Sequence, residues 1–228
     1  MDFIVKPIIF FLCLALTSLS LPNLKKEWQS NKPSISEDQE VLYLPKGPGL
    51  TILSFGYQNL LADIIWFNTV SYFGKHYKSD QQYKWLFHMC DLVTTLNKND
   101  PERYIFCGLM LGWEAKSPND SFKILSKAIR NDPNSWKYYY LRGLGSYLLQ
   151  NDFEQAIEDF LFASKLPDAP IMLASIAAKK LTIHKDDPQT AITFLEEMLK
   201  NSNDTVSRSI LEKRLFEARK KMLEKEGK

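Results

Sequence analysis

A spaced trio of small and bulky residues, returning along the second half of the chain, constrains its fold more than any other feature. In Asn151-Asp-Phe-Glu-Gln-Ala156-Ile-Glu-Asp-Phe160-Leu-Phe-Ala163 a turn precedes a small residue, then an aromatic one, then a second small one. One repeat length earlier, roughly 34 residues, stand Ser121, Leu125 and Ala128, followed by Asp132-Pro133. One repeat length later stand Ala191, Leu195 and Met198, after the turn Asp186-Asp187-Pro188. The segments ahead of them align as well: Gly108-Leu109, Gly143-Leu144 and Ala178. Two antiparallel helices pack closely only where one presents Gly or Ala to a bulky residue of the other. A single helical hairpin cannot bury both its faces, so hairpins stack and leave a concave surface. Gly143 and Gly145 would each cost about 1 kcal/mol in a helix interior relative to alanine, so close approach is their expected reason. Pro133 and Pro167 follow helix ends, where a missing N–H costs little. After Leu50 apolar residues recur at three- and four-residue steps without sustained alternation, so that region is expected to be entirely helical.

These positions closely match the tetratricopeptide repeat, whose second helix carries a small residue, an aromatic four later and another small one. Ala156, Phe160 and Ala163 fill those places, with Pro167 near the closing proline. The resemblance implies an all-α, right-handed superhelix of antiparallel helix pairs. Three units follow, over 102–135, 136–169 and 170–204. The third departs from the pattern where Lys179-Lys180 replaces the usual glycine region. Beyond Thr205, the residues Val206, Ile210, Leu211, Leu215, Ala218 and Met222 make one apolar stripe on an otherwise charged helix. Repeat arrays need such a one-sided terminal helix, so 205–228 reads as the C-terminal cap.

The N-terminus reads as a targeting segment. Lys6 precedes an uncharged apolar run from Pro7 to Leu21. That is the pattern of an export signal, and it is shorter than the roughly 20 residues that span a bilayer comfortably. Residues 1–22 are therefore expected to be a cleaved signal peptide or an uncleaved anchor. Either outcome places the folded domain outside the cytoplasm, at the inner membrane facing the periplasm or free in the periplasm. Residues 23–50, polar and punctuated by Pro22 and Pro33, read as a tether.

Residues 51–101 read as a degenerate first hairpin. The apolar stretch from Leu53 to Gly74 carries Asp63 in its middle, and helical spacing brings Asn59, Asp63 and Trp66 together. It is either a helix packed beneath the repeats or a docking helix for a membrane partner. A second membrane span is disfavoured, because Asp63 near its centre would cost about 3 kcal/mol. The residues Gly56, Tyr57, Leu60, Leu61, Ala62, Asp63, Trp66, Tyr72, Phe73 and Gly74 resemble a segment of bacterial membrane-anchored tetratricopeptide-repeat proteins. Leu166-Pro-Asp-Ala-Pro170 resembles a later element of the same proteins. That likeness implies architecture and compartment rather than a mechanism.

Chemistry is hard to find in the sequence. Lys46-Gly-Pro-Gly49 is no phosphate loop, since prolines break the nest of N–H groups. His76, His88 and His184 stand far apart, and none has a nucleophile placed beside it. Cys90 and Cys107 read as buried packing, or as a disulfide in an oxidising compartment, and no ligand spacing suggests a metal. Lys+Arg 29 against Asp+Glu 27 leaves a net +2, spread without a basic face, which speaks against nucleic acid. The chain is thus expected to be no enzyme and to need no cofactor. Its expected role is a scaffold or assembly factor that binds a protein or peptide in the groove. The groove residues are expected to be Arg103, Phe106, Met110 and Trp113, then Tyr138, Leu141 and Leu148, then Ile176, Lys180 and His184. Trp113 and Tyr138 would be the anchors, since aromatic residues are enriched at such surfaces, although some of the set is expected to pack between repeats. The alternative is an accessory subunit of a membrane transporter or enzyme, docking through Asp63 and Trp66.

Overall fold

In the computed structural model the described residues are 47–226, all within the compact unit Pro45–Lys228. The expected targeting segment, most of the tether and the last two residues lie outside them. Ten helices follow in order: α1 Gly47–Leu53, α2 Gln58–Tyr77, α3 Leu86–Leu96, α4 Pro101–Leu109, α5 Pro118–Asn131, α6 Trp136–Gly145, α7 Phe153–Lys165, α8 Met172–His184, α9 Pro188–Asn201 and α10 Thr205–Glu226. No strand occurs among the described residues. α4 and α6 each run on into a five-residue π-helical turn, Met110–Glu114 and Ser146–Gln150. The helices pack in sequential pairs, α2 on α3, α4 on α5, α6 on α7 and α8 on α9, with α10 laid against both α8 and α9. The fold is an all-α, tetratricopeptide-like stack of hairpins closed by a C-terminal helix. Residues 47–50, read from sequence as tether, are already the first turn of α1, where Leu50 is buried against the domain.

Sequence punctuation sets the helix ends. Pro101, Pro118 and Pro188 sit in the first turns of α4, α5 and α9, where an absent N–H loses no bond. The Asp152 carboxylate accepts the Gln155 N–H at 3.1 Å, and Asp187 accepts that of Thr190 at 3.0 Å. Immediately ahead of those starts, Lys116, Asn151 and Asp186 occupy the same place in the three hairpin turns, and all three have left-handed backbone (φ 51°, 56° and 50°). Gln81, at the equivalent place between α2 and α3, has φ 55°. The first hairpin thus shares the left-handed residue but not the whole turn: α3 starts five residues after Gln81, whereas α5, α7 and α9 start two residues after theirs. Its sequence hides this, because Phe73 and Leu86 stand where the later hairpins have Gly or a small residue.

Close approach within the pairs explains Gly143 and Gly108 but not Gly145, where an added Cβ would meet nothing within 4 Å. A Cβ on Gly143 would lie 2.9 Å from Asp159 Cβ, 3.0 Å from the Phe160 ring and 3.2 Å from the Ala156 carbonyl oxygen. A Cβ on Gly108 would meet the Leu125 side chain at 2.7 Å. Ala156, Ala163, Ala178 and Ala191 are fully buried. Polar links join neighbouring hairpins. Lys127 of α5 reaches Asp91 of α3 at 2.7 Å and also donates to Thr94 and Thr95, and burial lowers its pKa against the pull of Asp91. Arg142 of α6 grips the buried Asp159 of α7 with two bonds, at 2.9 and 2.7 Å, and donates to Ser126 of α5. Desolvation nonetheless raises the Asp159 pKa, which the guanidinium only partly offsets. Cys90 of α3 and Cys107 of α4 form a fully buried disulfide, with Cα atoms 5.8 Å apart.

Candidate partner-binding groove

The two expected sites turn out to touch each other. Arg103 on α4 is buried and its guanidinium pairs with Asp63 of α2, while its Nε lies 2.7 Å from Asp100. The same guanidinium stands 5.7 Å from the centre of the Trp66 ring. Trp66 and Phe73 both meet Phe106 edge-on, at 5.1 and 5.6 Å. Met110, half-buried, packs into the same cluster. Arg103 and Phe106 are therefore spent on holding α2 to α4. Asp63 and Trp66, expected to carry docking, supply the other half of that internal contact. A charge that already has its partner gains little from a second one.

Tyr138 also differs from its expected role. It is 3% exposed and packs edge-on against Tyr104 at 6.1 Å, in the core under α4 and α6. Desolvation pushes its phenol up to about 12. It is a core residue rather than an anchor. Trp113 is half-buried in the π-helical turn after α4, and Leu141 is half-buried on α6. Ile176 packs against the core of the last two hairpins. The Lys180 ammonium lies 3.5 Å from the centre of the Tyr147 ring. The His184 ring stacks on Phe153 at 4.3 Å, with Nε2 3.1 Å from the Tyr147 hydroxyl. Both join the second repeat to the third.

On α8 the open position lies one residue ahead of Lys180, whereas Leu148, one of the expected groove residues, is itself exposed. One residue is a rotation of about 100° on an α-helix, enough to exchange a neighbour-facing side chain for a free one. Lys179 and Ile183 are exposed where Lys180 packs inward, and Leu148 is 53% exposed where Tyr147 is not. Lys179, Thr182 and Ile183 of α8 and Asp186 of the turn after it line an open cleft with Arg214, Glu217, Ala218 and Lys221 of α10, about 380 Å³ in volume. Lys225 binds Asp186 through its carboxylate at 2.8 Å and its carbonyl at 2.7 Å. Arg214 pairs with Glu217 and donates to Ser175 at 3.0 Å. Lys179 and Lys221 make neither ion pair nor hydrogen bond with any described residue. The cleft thus offers two unpaired ammonium groups above a floor of Ile183 and Ala218. Sequence reading passed over Lys179, Arg214 and Lys221 because α8 and α10 meet only in the fold. The one sequence signal was the lysine pair standing in place of glycine.

No group of side chains suited to hold a metal ion occurs among the described residues, and no described helix is long and apolar enough to cross a membrane. The sequence matches no protein-family model and no curated protein. Among solved structures, the crystal structure of MamA is similar over 68% of this chain and 96% of that chain, at 17% identity and a TM-score of 0.41. So loose a likeness adds nothing to the fold described above.

Proposed function

We propose that this chain is a non-catalytic scaffold of the cell envelope that holds a segment of a partner protein in the cleft between α8 and α10. The observation that carries this reading is the open cleft itself, with Lys179 and Lys221 unpaired over an apolar floor. Ammonium groups without an internal partner favour a segment bearing carboxylates, and Ile183 favours an apolar side chain beside them. The shifted groups elsewhere have structural explanations: Tyr138 is buried, Lys127 and Asp159 sit in internal networks, and none faces the cleft. An envelope location is supported by the apolar run from Pro7 to Leu21 behind Lys6, and by a buried disulfide of the kind that persists in oxidising compartments.

Fluorescence anisotropy with short labelled peptides, each carrying two or three carboxylates around one leucine, tests the site. Lys179→Glu with Lys221→Glu should weaken binding at least tenfold, and added salt should do the same to the unaltered protein. Trp113→Ala should leave binding unchanged. Equal capture of basic peptides, or full binding by the double variant, would remove the cleft from consideration. The alternative route, docking through the helix over 55–74, draws support from a different observation, the exposed side of α2.

A further inference from the structure

α2 has a side that nothing among the described residues covers. Ala62, Ile65, Thr69 and His76 turn inward, while Leu60, Ile64 and Phe67 on the opposite side are 58%, 52% and 72% exposed. By the register of the hairpin turns, 58–65 extends α2 about two turns beyond the later first helices, and Leu60 and Ile64 lie on that extension. Further along the same side come Ser71 and Gly74. A Cβ on Gly74 would meet nothing within 4 Å, so no contact among the described residues explains a glycine in the body of this helix. α10, at the other end of the array, also leaves Val206, Phe216 and Leu223 exposed, but among many charged residues.

We propose that this side of α2 is an interface between two copies of the chain, paired antiparallel about a two-fold axis near Ile64 and Phe67. Antiparallel pairing sets Leu60 of one copy against Ser71 of the other, and Tyr57 against Gly74. Bulky residues then meet small ones, the condition for close helix approach. A two-fold contact must be self-complementary, and an apolar strip satisfies that where a strip of one charge would not. The only carboxylate near it, Asp63, is already paired with Arg103. Phe55 and Tyr57, 85% and 72% exposed, lengthen the strip toward the roughly 800 Å² that each partner contributes to a standard stable interface. Gly74, costly in a lone helix, is the residue that would let the second backbone come near.

The test uses the full chain. A photo-crosslinking amino acid in place of Phe67, activated in membranes, should give an adduct of twice the chain mass containing this protein alone. The same probe in place of Glu212, on α10, should not. In detergent, sedimentation velocity should show a dimer that Phe67→Glu and Gly74→Leu convert to monomer. Both variants should keep the melting temperature of the monomer, since Phe67 is already exposed and the space over Gly74 is open. A monomeric unaltered protein, or a Phe67 adduct with lipid, with another protein or within one chain, would overturn the proposal. So would a dimer that survives both substitutions.

Discussion

Gly143 and Gly108 occupy the same place in successive hairpins, yet the structure gives them different tolerance. A methyl group on Gly108 presses on the flexible end of Leu125, which can turn aside. On Gly143 it would meet Asp159 Cβ, the Phe160 ring and the Ala156 carbonyl, two of them rooted in backbone. Gly143→Ala is therefore expected to cost about 1–3 kcal/mol through overpacking, and Gly108→Ala less. Urea titration of the two variants checks the order, and equal losses would mean that α6 and α7 are not so tightly opposed. Tyr138 shows the limit of residue-level reading. An aromatic residue on a first helix serves equally well as anchor or core, and only its burial against Tyr104 decided the matter.

At the scale of single helices, capping aspartates set how stability answers to pH. The Asp187 carboxylate accepts the Thr190 N–H at the start of α9, and Asp204 accepts that of Ser207 at the start of α10, at 2.8 Å. The Thr190 hydroxyl, and then its N–H, hold the Asp187 pKa below the ordinary 3.8, and the Ser207 N–H does the same for Asp204. A carboxylate with a lowered folded-state pKa stabilises the fold above its unfolded pKa, and that contribution is lost as pH falls through the lower, folded value. Asp187→Ala should therefore cost about 1 kcal/mol at pH 7, and less at a pH below the lowered folded value, where the unaltered cap has itself been protonated. Denaturant unfolding at the two pH values measures the difference. A penalty independent of pH would show that the charge plays no part. The turns ahead of these caps were only partly legible: Asp186-Asp187-Pro188 announces itself, whereas Gln81 is an ordinary residue whose left-handed backbone no composition betrays.

Across the whole molecule the first hairpin is held to the repeats by several kinds of bond besides the Lys127 network. The Cys90–Cys107 disulfide, the Asp63–Arg103 pair and the aromatic group around Phe106 all cross the boundary between it and α4. The disulfide closes a loop of sequence separation 17, for which the unfolded-chain entropy removed is worth about 3 kcal/mol. Replacing both cysteines by alanine should thus lower the melting temperature by roughly 6–12 °C for a domain of this size. Thiol-alkylation mass spectrometry should find both sulfurs unreactive even in the unfolded protein until a dithiol reductant is added. An unchanged melting temperature would mean that packing alone holds α3 to α4.

The sequence by itself determined the local terms: helix rather than strand, where the later hairpins turn, and which small residues sit at helix crossings. Each depends on the period of apolar residues or on the shape of one residue, and neighbours along the chain carry that information. The tertiary structure decided which side of each helix remains open. A rotation of one residue separates Lys180, held over Tyr147, from the unpaired Lys179, and sequence spacing reads a surface helix to no better than that angle. It also brought Asp63 to Arg103 and Lys179 to Lys221, pairs contributed by helices with no sequence relation to each other. Contacts between distant segments depend on how hairpins stack, and stacking is settled only when every hairpin buries its apolar face at once.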